Sequence, residues 1–278
     1  MQIHETIQAF RQARRALPAT LGVVPTMGYL HQGHLALVRH AKAECDKVAV
    51  TVFVNPTQFG PNEDLARYPR DLQRDLDLLQ QEGVDLVFAP STAEMYPQPY
   101  RTFVEVEGVT APLEGARRPG HFRGVATVVC KLFNIVGADR AYFGQKDAQQ
   151  TVVIKQMVRD LHMPTDIVVV PTVREEDGLA LSSRNVYLSP EQRHAAPVLF
   201  QSLQAAQHLY DAGERHAATL RQVVQQLLTN EPLAQTEYVS LADPHTLEEI
   251  AEQIHNGALL SLAVRFGTTR LIDNVVLD

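Results

Sequence analysis

The chain has 278 residues, of which 45% are hydrophobic, and a formal net charge of −7. This length and composition predict an ordinary globular protein with one large or two modest domains. The acidic balance argues against a nucleic-acid or anionic-membrane partner, because both require a basic face, although local cations can still bind a small anion. No apolar stretch reaches membrane-spanning length, and Cys45 and Cys130 are the only cysteines, so we expect a protein of the reducing cytoplasm.

Apolar runs alternate with helical periodicity through the first part of the chain. The N-terminus reads as an amphipathic helix with Ile3, Ile7 and Phe10 on one side. The alternation of apolar runs with helical segments predicts βαβ units, and hence an α/β fold with a Rossmann-like parallel sheet and helices on both faces. In such sheets, ligands bind beyond the carboxyl ends of the strands. The predicted strands are residues 21–25, 48–54, 85–89, 140–143 and 167–170, and the predicted helices include 71–81, 122–136 and 147–161.

The pattern changes after about residue 173. Helical segments at 190–212 and 216–228 precede strand-like runs at 237–241 and 259–265. These elements predict a smaller α+β C-terminal domain. We therefore expect domains at residues 1–175 and 176–278, joined by a polar turn near residue 175, with the second domain closing over the site of the first.

The most informative motif follows the first of these strands, at residues 25–34, Pro-Thr-Met-Gly-Tyr-Leu-His-Gln-Gly-His. Gly28 and Gly33 permit a tight turn and close ligand approach, and the helix that follows presents unpaired N–H groups to an anion. His31 and His34 add two imidazole N–H donors for a phosphoryl group. Two alternatives are helix capping and a metal pair. No Cys, Asp or third His completes a zinc-like set, so we predict no metal site in the protein.

Asn55 and Gln58 follow the predicted strand 48–54. Their amides can hydrogen-bond a hydroxylated or carboxylated substrate at the sheet edge. The alternative is ordinary turn chemistry, since an Asn-Pro pair satisfies loop backbone without any ligand.

A third motif, Gly144-Gln145-Lys146-Asp147, lies between the strand 140–143 and a helix. Asp147 fits a helix cap or an acceptor for ribose hydroxyls. A cap does not explain Lys146, because a cation in the first helical turn opposes the helix dipole unless an anion is near. Gln150 lies one turn along on the same face as Asp147.

A fourth motif, Leu181-Ser182-Ser183-Arg184, follows the fifth strand. Hydroxyls and a guanidinium suit the β- and γ-phosphates of a nucleotide, whereas a polar loop with a solvated Arg is the alternative. Cations and glycines also combine in residues 117–126, which fit either the anionic site or an exposed basic loop.

Taken in this order, the motifs resemble those of the pantothenate synthetase family, the pantoate–β-alanine ligases. The first motif alone indicates only the wider superfamily of HxGH nucleotidylyltransferases. The resemblance is specific because four blocks occur in the family's order, and it extends from about residue 21 to residue 188.

The resemblance implies an ATP-dependent ligase that condenses pantoate with β-alanine through pantoyl adenylate, releasing AMP and pyrophosphate. His34 is then the catalytic histidine and His31 its partner, with Lys146 and Arg184 at the phosphates. Gln58 is implied to hold pantoate and β-alanine, and Gln150 to hold pantoate, with Asn55 beside them. The implied ATP contacts are Met27, Gly28, Tyr29, Leu30, His31, Gln32, Gly33, His34, Gly144, Gln145, Lys146, Asp147, Val173, Leu181, Ser182, Ser183 and Arg184.

The resemblance also implies Mg²⁺ held mainly through the phosphates of ATP, and a homodimer. No Ser-His or Cys-His arrangement indicates a covalent catalyst, which agrees with attack by the substrate itself.

The main alternative is a nucleotidylyltransferase acting on another small phosphorylated acceptor. A nucleotide sensor without turnover and a tRNA synthetase are weaker alternatives, because the set of phosphate-binding groups is intact and a basic RNA-binding extension is missing.

Overall fold

The computed structural model describes residues 1–61 and 63–278. These residues divide into two compact units, the first formed by residues 1–144 and 153–171 and the second by residues 145–152 and 172–278. The predicted domain boundary at residue 175 and the closure of the C-terminal domain stay predictions. No helix in the described ranges is long and apolar enough to cross a membrane.

The first unit contains a parallel sheet of six strands within the described residues, in the order β1-β4-β3-β2-β5-β6. This confirms the predicted α/β fold class. Its strands are β1 (Gln2–His4), β2 (Leu21–Thr26), β3 (Lys47–Val52), β4 (Leu86–Phe88), β5 (Arg140–Gly144) and β6 (Asp166–Val170). Its helices are α1 (Ile7–Arg15), α2 (Gln32–Glu44), α3 (Leu72–Gln81), α4 (Thr92–Met95), α5 (Glu114–Arg117) and α6 (His121–Val136). Helix α7 (Ala148–Asp160) begins in the second unit and ends in the first.

The central strands of the sheet are the most apolar, as burial on both faces requires. Val23, Val24, Ala49 and Val50 are fully buried there. Strands β2 and β3 run in register to the pair Thr26 and Val52. The chain therefore leaves both strands at the same edge of the sheet.

The N-terminal prediction is wrong in one part. Ile3 belongs to strand β1, where it pairs with Val87 of β4, and the helix begins only at Ile7. The side chain of Thr6 accepts a hydrogen bond from the Ala9 N–H group, which caps the helix at that point.

The second unit has a three-stranded antiparallel sheet among its described residues, in the order β7-β8-β9. Its strands are β7 (Gln235–Ala242), β8 (Ala258–Phe266) and β9 (Thr269–Leu277), and its helices are α8 (Pro190–Ala195), α9 (Val198–Asp211) and α10 (Ala217–Thr229). Leu203, Leu220, Leu260 and other apolar side chains of these elements form one core. The smaller α+β fold is as predicted, although strand β9 was missed and the helix predicted at 190–212 is two helices.

Candidate active site

The turn between β2 and α2 carries the two motif histidines. Gly28 and Tyr29 both have positive φ, at 80° and 50°. Gly28 suits this region because it has no side chain, whereas Tyr29 has a conformation that is uncommon for a residue with a Cβ atom. The tight turn lets His31 serve as the N-cap of α2.

A buried carboxylate stabilises this turn by accepting hydrogen bonds from its backbone. Asp75, in the first turn of α3, is 1% exposed and accepts hydrogen bonds from the N–H groups of Tyr29 and Leu30, each at 2.7 Å. Burial raises the pKa of Asp75, and the two backbone hydrogen bonds oppose that shift. A side chain added at Gly28 would approach the Asp75 Oδ2 atom to 3.0 Å, so the glycine is also needed for this close packing.

The backbone fixes which nitrogen of each histidine carries the proton. The Gly33 N–H group donates to His31 Nδ1 at 3.2 Å, and the His31 N–H group donates to His34 Nδ1 at 3.3 Å. A nitrogen that accepts a hydrogen bond has no proton, so both rings are assigned their proton on Nε2. The two ring centroids are 4.1 Å apart. The turn therefore presents two neighbouring Nε2–H donors.

The turn that follows β3 lies beside the histidine turn and is built around Asn55, which is 1% exposed. The Asn55 Oδ1 atom accepts hydrogen bonds from the Thr57 N–H and hydroxyl groups and from the Tyr96 hydroxyl group, the last at 2.7 Å. Its Nδ2 atom donates to Gln58 Oε1 at 3.1 Å and to the Gly124 carbonyl at 3.2 Å. These contacts make Asn55 the organiser of the turn, and direct contact with substrate stays a prediction.

The Gln58 side chain is oriented by its neighbours. Because Asn55 donates to Gln58 Oε1, the Nε2 atom of the amide turns the other way and lies 3.2 Å from Met27 Sδ. Gln58 also lines a cavity of about 200 Å³ with Phe103 and Gly120 among the other lining residues. The first unit thus brings Met27, Asn55 and Gln58 together.

A charged cluster supports the backbone of Gln58. The His121 Nδ1 atom lies 2.9 Å from the Gln58 carbonyl, which can only accept, so Nδ1 carries the proton. His121 Nε2 lies 3.1 Å from Arg118 Nη1, and Arg118 forms an ion pair with Glu63 at 2.7 Å. Burial, together with the charge of Arg118, lowers the pKa of His121 to about 4. His121 is therefore a neutral donor at physiological pH.

The third motif forms a 3-10 turn, Gln145–Asp147, in the second unit. The Nζ atom of Lys146 lies 3.6 Å from Asp147 Oδ1, and Asp147 is about half exposed. Gln145 donates from Nε2 to Asn274 Oδ1 on β9 at 2.9 Å. Gln150 lies in the first helical turns of α7, and Gly144 is the last residue of β5.

The fourth motif also forms a 3-10 turn, Ser183–Tyr187, with Ser182 as its N-cap. Ser182 Oγ accepts a hydrogen bond from the Arg184 N–H group at 3.3 Å. The Leu181 N–H group donates to the Val173 carbonyl at 3.0 Å. The second unit therefore brings the backbone of Val173, one of the predicted ATP contacts, next to the start of the serine motif.

The described residues contain no cluster of three or more His, Cys, Asp or Glu side chains suited to a metal ion. The basic segment 117–126 has mixed roles. Arg118 belongs to the charged cluster, whereas Arg123 lies over the Phe103 ring at 3.6 Å and is almost half exposed.

Comparison with known proteins decides the family. Residues 2–276 match the family model described as pantoate-beta-alanine ligase. The chain belongs to the pantoate–β-alanine ligase family. This match confirms the family predicted from the four motifs and the ligase activity that it implied.

Ligases of this family from several bacteria resemble the chain along its whole length. A pantothenate synthetase from Chloroflexus aggregans is 64% identical over 277 residues, which cover 100% of both chains. The crystal structure of pantothenate synthetase from Thermus thermophilus has a TM-score of 0.94 and 52% identity, and the match covers 99% of each chain. The structure of a pantoate-beta-alanine ligase from Francisella tularensis, complexed with beta-gamma ATP and beta-alanine, has a TM-score of 0.81 and 36% identity, with coverage of 99% and 97%.

Several residues that shape the candidate site were missed in the sequence. Asp75 could have been noticed in the sequence, because it lies four residues before buried Leu79 and so places a carboxylate on the apolar face of α3. His121 and Arg118 lay in the basic segment but gave no sign that they support Gln58. Nothing in the sequence indicated the role of Asn274, since this residue is more than a hundred residues from Lys146 in the chain.

Proposed function

We propose that the chain joins pantoate to β-alanine by adenylating the pantoate carboxylate. In the first step a carboxylate oxygen attacks the α-phosphorus of ATP, the bond to the bridging oxygen breaks, and pyrophosphate leaves. In the second step the β-alanine amine attacks the acyl carbon of pantoyl adenylate, AMP leaves, and the amine loses a proton to solvent. The protein contributes positioning and charge stabilisation rather than a nucleophile.

The orientation of the two histidines is the observation that carries this proposal. Both rings are held by backbone N–H groups at Nδ1, so their donors are the Nε2–H groups. Donors that are fixed before the reaction stabilise negative charge that develops on phosphoryl oxygens without a cost for reorganisation. We assign His34 to the α-phosphate and His31 to the adjoining phosphate.

Lys146 and Arg184 complete the phosphate site in this proposal. A lysine provides a point charge and an arginine a planar pair of donors, which suit the β- and γ-phosphates. Met27 to His34 and Gly144 to Asp147 contact ATP, as do Leu181 to Arg184, and the Val173 backbone contacts adenine.

Gln58 and Gln150 bind pantoate, and Gln58 also meets β-alanine. The hydrogen bond from Asn55 to Gln58 Oε1 supports this role, because it leaves the amide in a single orientation. We assign Asn55 to positioning Gln58 at the substrate.

Mg²⁺ enters with ATP as part of the substrate complex. A hard cation that keeps much of its water shell needs few protein ligands, and the cationic side chains proposed around the phosphates suit a metal held by the triphosphate. Titration calorimetry tests this idea: Mg²⁺ binding should be detected with ATP present and be much weaker without it.

The family resemblance also supports a homodimer, for which light scattering should give twice the mass of one chain. Cys45 and Cys130 are both free thiols, which supports a reducing compartment such as the cytoplasm. Fractionation of cells would test that location.

Pyrophosphate exchange tests the proposed chemistry. The protein is incubated with ATP, Mg²⁺ and labelled pyrophosphate, with and without pantoate, before β-alanine is added. We expect label to enter ATP only with pantoate, and AMP and pantothenate to form once β-alanine is added. Exchange that is indifferent to pantoate, or formation of ADP, contradicts adenylation of pantoate.

A further inference from the structure

Two polar residues are buried in the middle of strand β9. Asp273 is 2% exposed and Asn274 is 4% exposed. Burying an amide or a carboxylate costs free energy unless each polar atom finds a partner. In this strand the partners are the two segments of the second unit that are proposed to bind ATP.

Asn274 holds the turn that carries Lys146. Its Nδ2 atom donates to the carbonyl of Gln145 at 3.0 Å and to the carbonyl of Lys146 at 2.9 Å. Its Oδ1 atom accepts a hydrogen bond from Gln145 Nε2 at 2.9 Å. One carboxamide therefore fixes two successive carbonyls, and with them the backbone orientation from which the Lys146 side chain projects.

Asp273 holds the other segment. Its two carboxylate oxygens accept hydrogen bonds from Arg174 Nη1 at 2.6 Å and Nη2 at 2.9 Å, a bidentate pair. Arg174 is further fixed by a hydrogen bond to the Gly178 carbonyl at 3.1 Å and by the Phe200 ring, 3.8 Å away. Arg174 directly follows Val173, whose backbone is proposed to contact adenine.

The two residues also brace each other, since the Asn274 N–H group donates to Asp273 Oδ1 at 2.8 Å. An apolar side chain at position 274 would suit a buried strand equally well and would leave the turn without these hydrogen bonds. The polar pair is thus placed where it orders the proposed ATP-binding segments.

We propose that Asn274 is a positioning residue for ATP, acting through Lys146, while Asp273 pairs with Arg174 and accepts a hydrogen bond from the Asn274 N–H group. Neither residue touches ATP in this account. The proposal rests on the proposed function, because it assumes that Lys146 binds the phosphates. It assigns a part of the adenylation step to the C-terminal strand.

The test uses Asn274→Val in the full-length enzyme, because valine is a good strand residue and removes all three side-chain hydrogen bonds. We expect kcat/KM for ATP in pantoate-dependent pyrophosphate exchange to fall by about 10- to 100-fold, since a small misplacement of a positioned group has effects of this size. Asn274→Ser is a second variant, which is too short to reach the turn and keeps a small polar group in the strand.

Ser261 provides the matched control. It pairs with Asn274 across β8 and β9, is similarly buried, and its hydroxyl group has no hydrogen-bond partner among the residues that the structure describes. Ser261→Ala should keep wild-type exchange. Thermal melts of all variants identify a temperature at which each is folded, and exchange is compared there.

A double-mutant cycle with Lys146→Ala separates positioning from general stabilisation. If Asn274 acts through Lys146, Asn274→Val should change exchange less than about threefold in the Lys146→Ala background. Fully additive effects overturn the proposal, as does wild-type exchange in folded Asn274→Val and Asn274→Ser. Wild-type exchange in Lys146→Ala itself would instead remove the proposed phosphate role of Lys146, so the two failures are distinguishable.

Discussion

Backbone hydrogen bonds determine which ring nitrogen carries the proton in each of the two histidines of the first motif. Their positions were predicted from the sequence, because glycines and imidazoles at a strand-to-helix turn fit a phosphate site. Their tautomers could not be predicted, since these depend on which backbone N–H group reaches each Nδ1 atom. The turn therefore determines both the location and the donor character of the pair.

Replacing His34 should impair adenylation more than folding. In His34→Ala we expect pantoate-dependent exchange to fall by at least about 10²-fold, the typical effect of removing one donor to a developing oxyanion. His40→Ala is the control, because His40 is exposed on the same helix, where its ring Nδ1 atom lies 2.9 Å from the Ala36 carbonyl. Wild-type exchange by folded His34→Ala would contradict the assigned role.

His121 should make the free energy of unfolding depend on acid. Its pKa is about 4 in the folded chain and near 6.5 in the unfolded chain. The unfolded chain therefore binds the proton more readily, so the free energy of unfolding is highest above pH 6.5 and decreases as the pH falls toward 4. From these values the group lowers the free energy of unfolding by about 2 kcal/mol between pH 7.5 and pH 5.

Urea denaturation at the two pH values measures this effect. His121→Gln should lose that part of the pH dependence, while His40→Gln, at an exposed histidine, should keep it. An unchanged difference between pH 7.5 and pH 5 in His121→Gln would show that His121 is not held in its neutral form.

At the scale of elements, helix α6 and the Asn55–Gln58 turn fit each other closely. A Cβ atom at Gly124 would lie 2.3 Å from the Thr57 carbonyl oxygen and 2.7 Å from the Gln58 nitrogen. These are backbone atoms, so the turn would have to move. The glycine in α6 is explained by this packing, since glycine is otherwise unfavourable inside a helix.

Gly124→Ala should therefore displace Gln58. We expect a higher KM for pantoate and a loss of unfolding free energy of about 1–3 kcal/mol, as for other overpacked sites. Gly60→Ala is the matched control, because its added Cβ atom would have its nearest contact among the described residues at 3.7 Å, an ordinary van der Waals distance. Equal KM and stability for wild type and Gly124→Ala would contradict the close fit.

The elements differ in how well their sequence patterns predict them. Five strands of the parallel sheet were predicted because they lie in mainly apolar runs, whereas the short, largely exposed β1 was missed. Strand β9 was missed because Asp273 and Asn274 interrupt its apolar pattern; Asp273 pairs with Arg174, and Asn274 holds the turn of Lys146. The helix predicted at 190–212 is divided near Pro197, which cannot continue the backbone hydrogen bonding of a preceding helix.

At the scale of the whole molecule, an acidic chain carries the cations Lys146 and Arg184, which are proposed to bind phosphate. The net charge of −7 predicted the absence of a nucleic-acid partner but gave no information on the proposed site, which depends on a few local cations. The four motifs, spread over more than 150 residues, predicted the ligase family that the comparisons confirm. The supporting residues Asp75, His121 and Asn274 could not be predicted in these roles, because each acts through contacts far apart in the chain.

The central claim is that the pantoate carboxylate attacks the α-phosphorus of ATP. Transfer of ¹⁸O tests it most directly: pantoate labelled in both carboxylate oxygens is converted with ATP, Mg²⁺ and β-alanine, and the products are analysed by mass spectrometry. We predict that each turnover leaves one labelled oxygen in AMP and one in pantothenate. Label in inorganic phosphate with ADP as the nucleotide product, or AMP without label, would contradict the account.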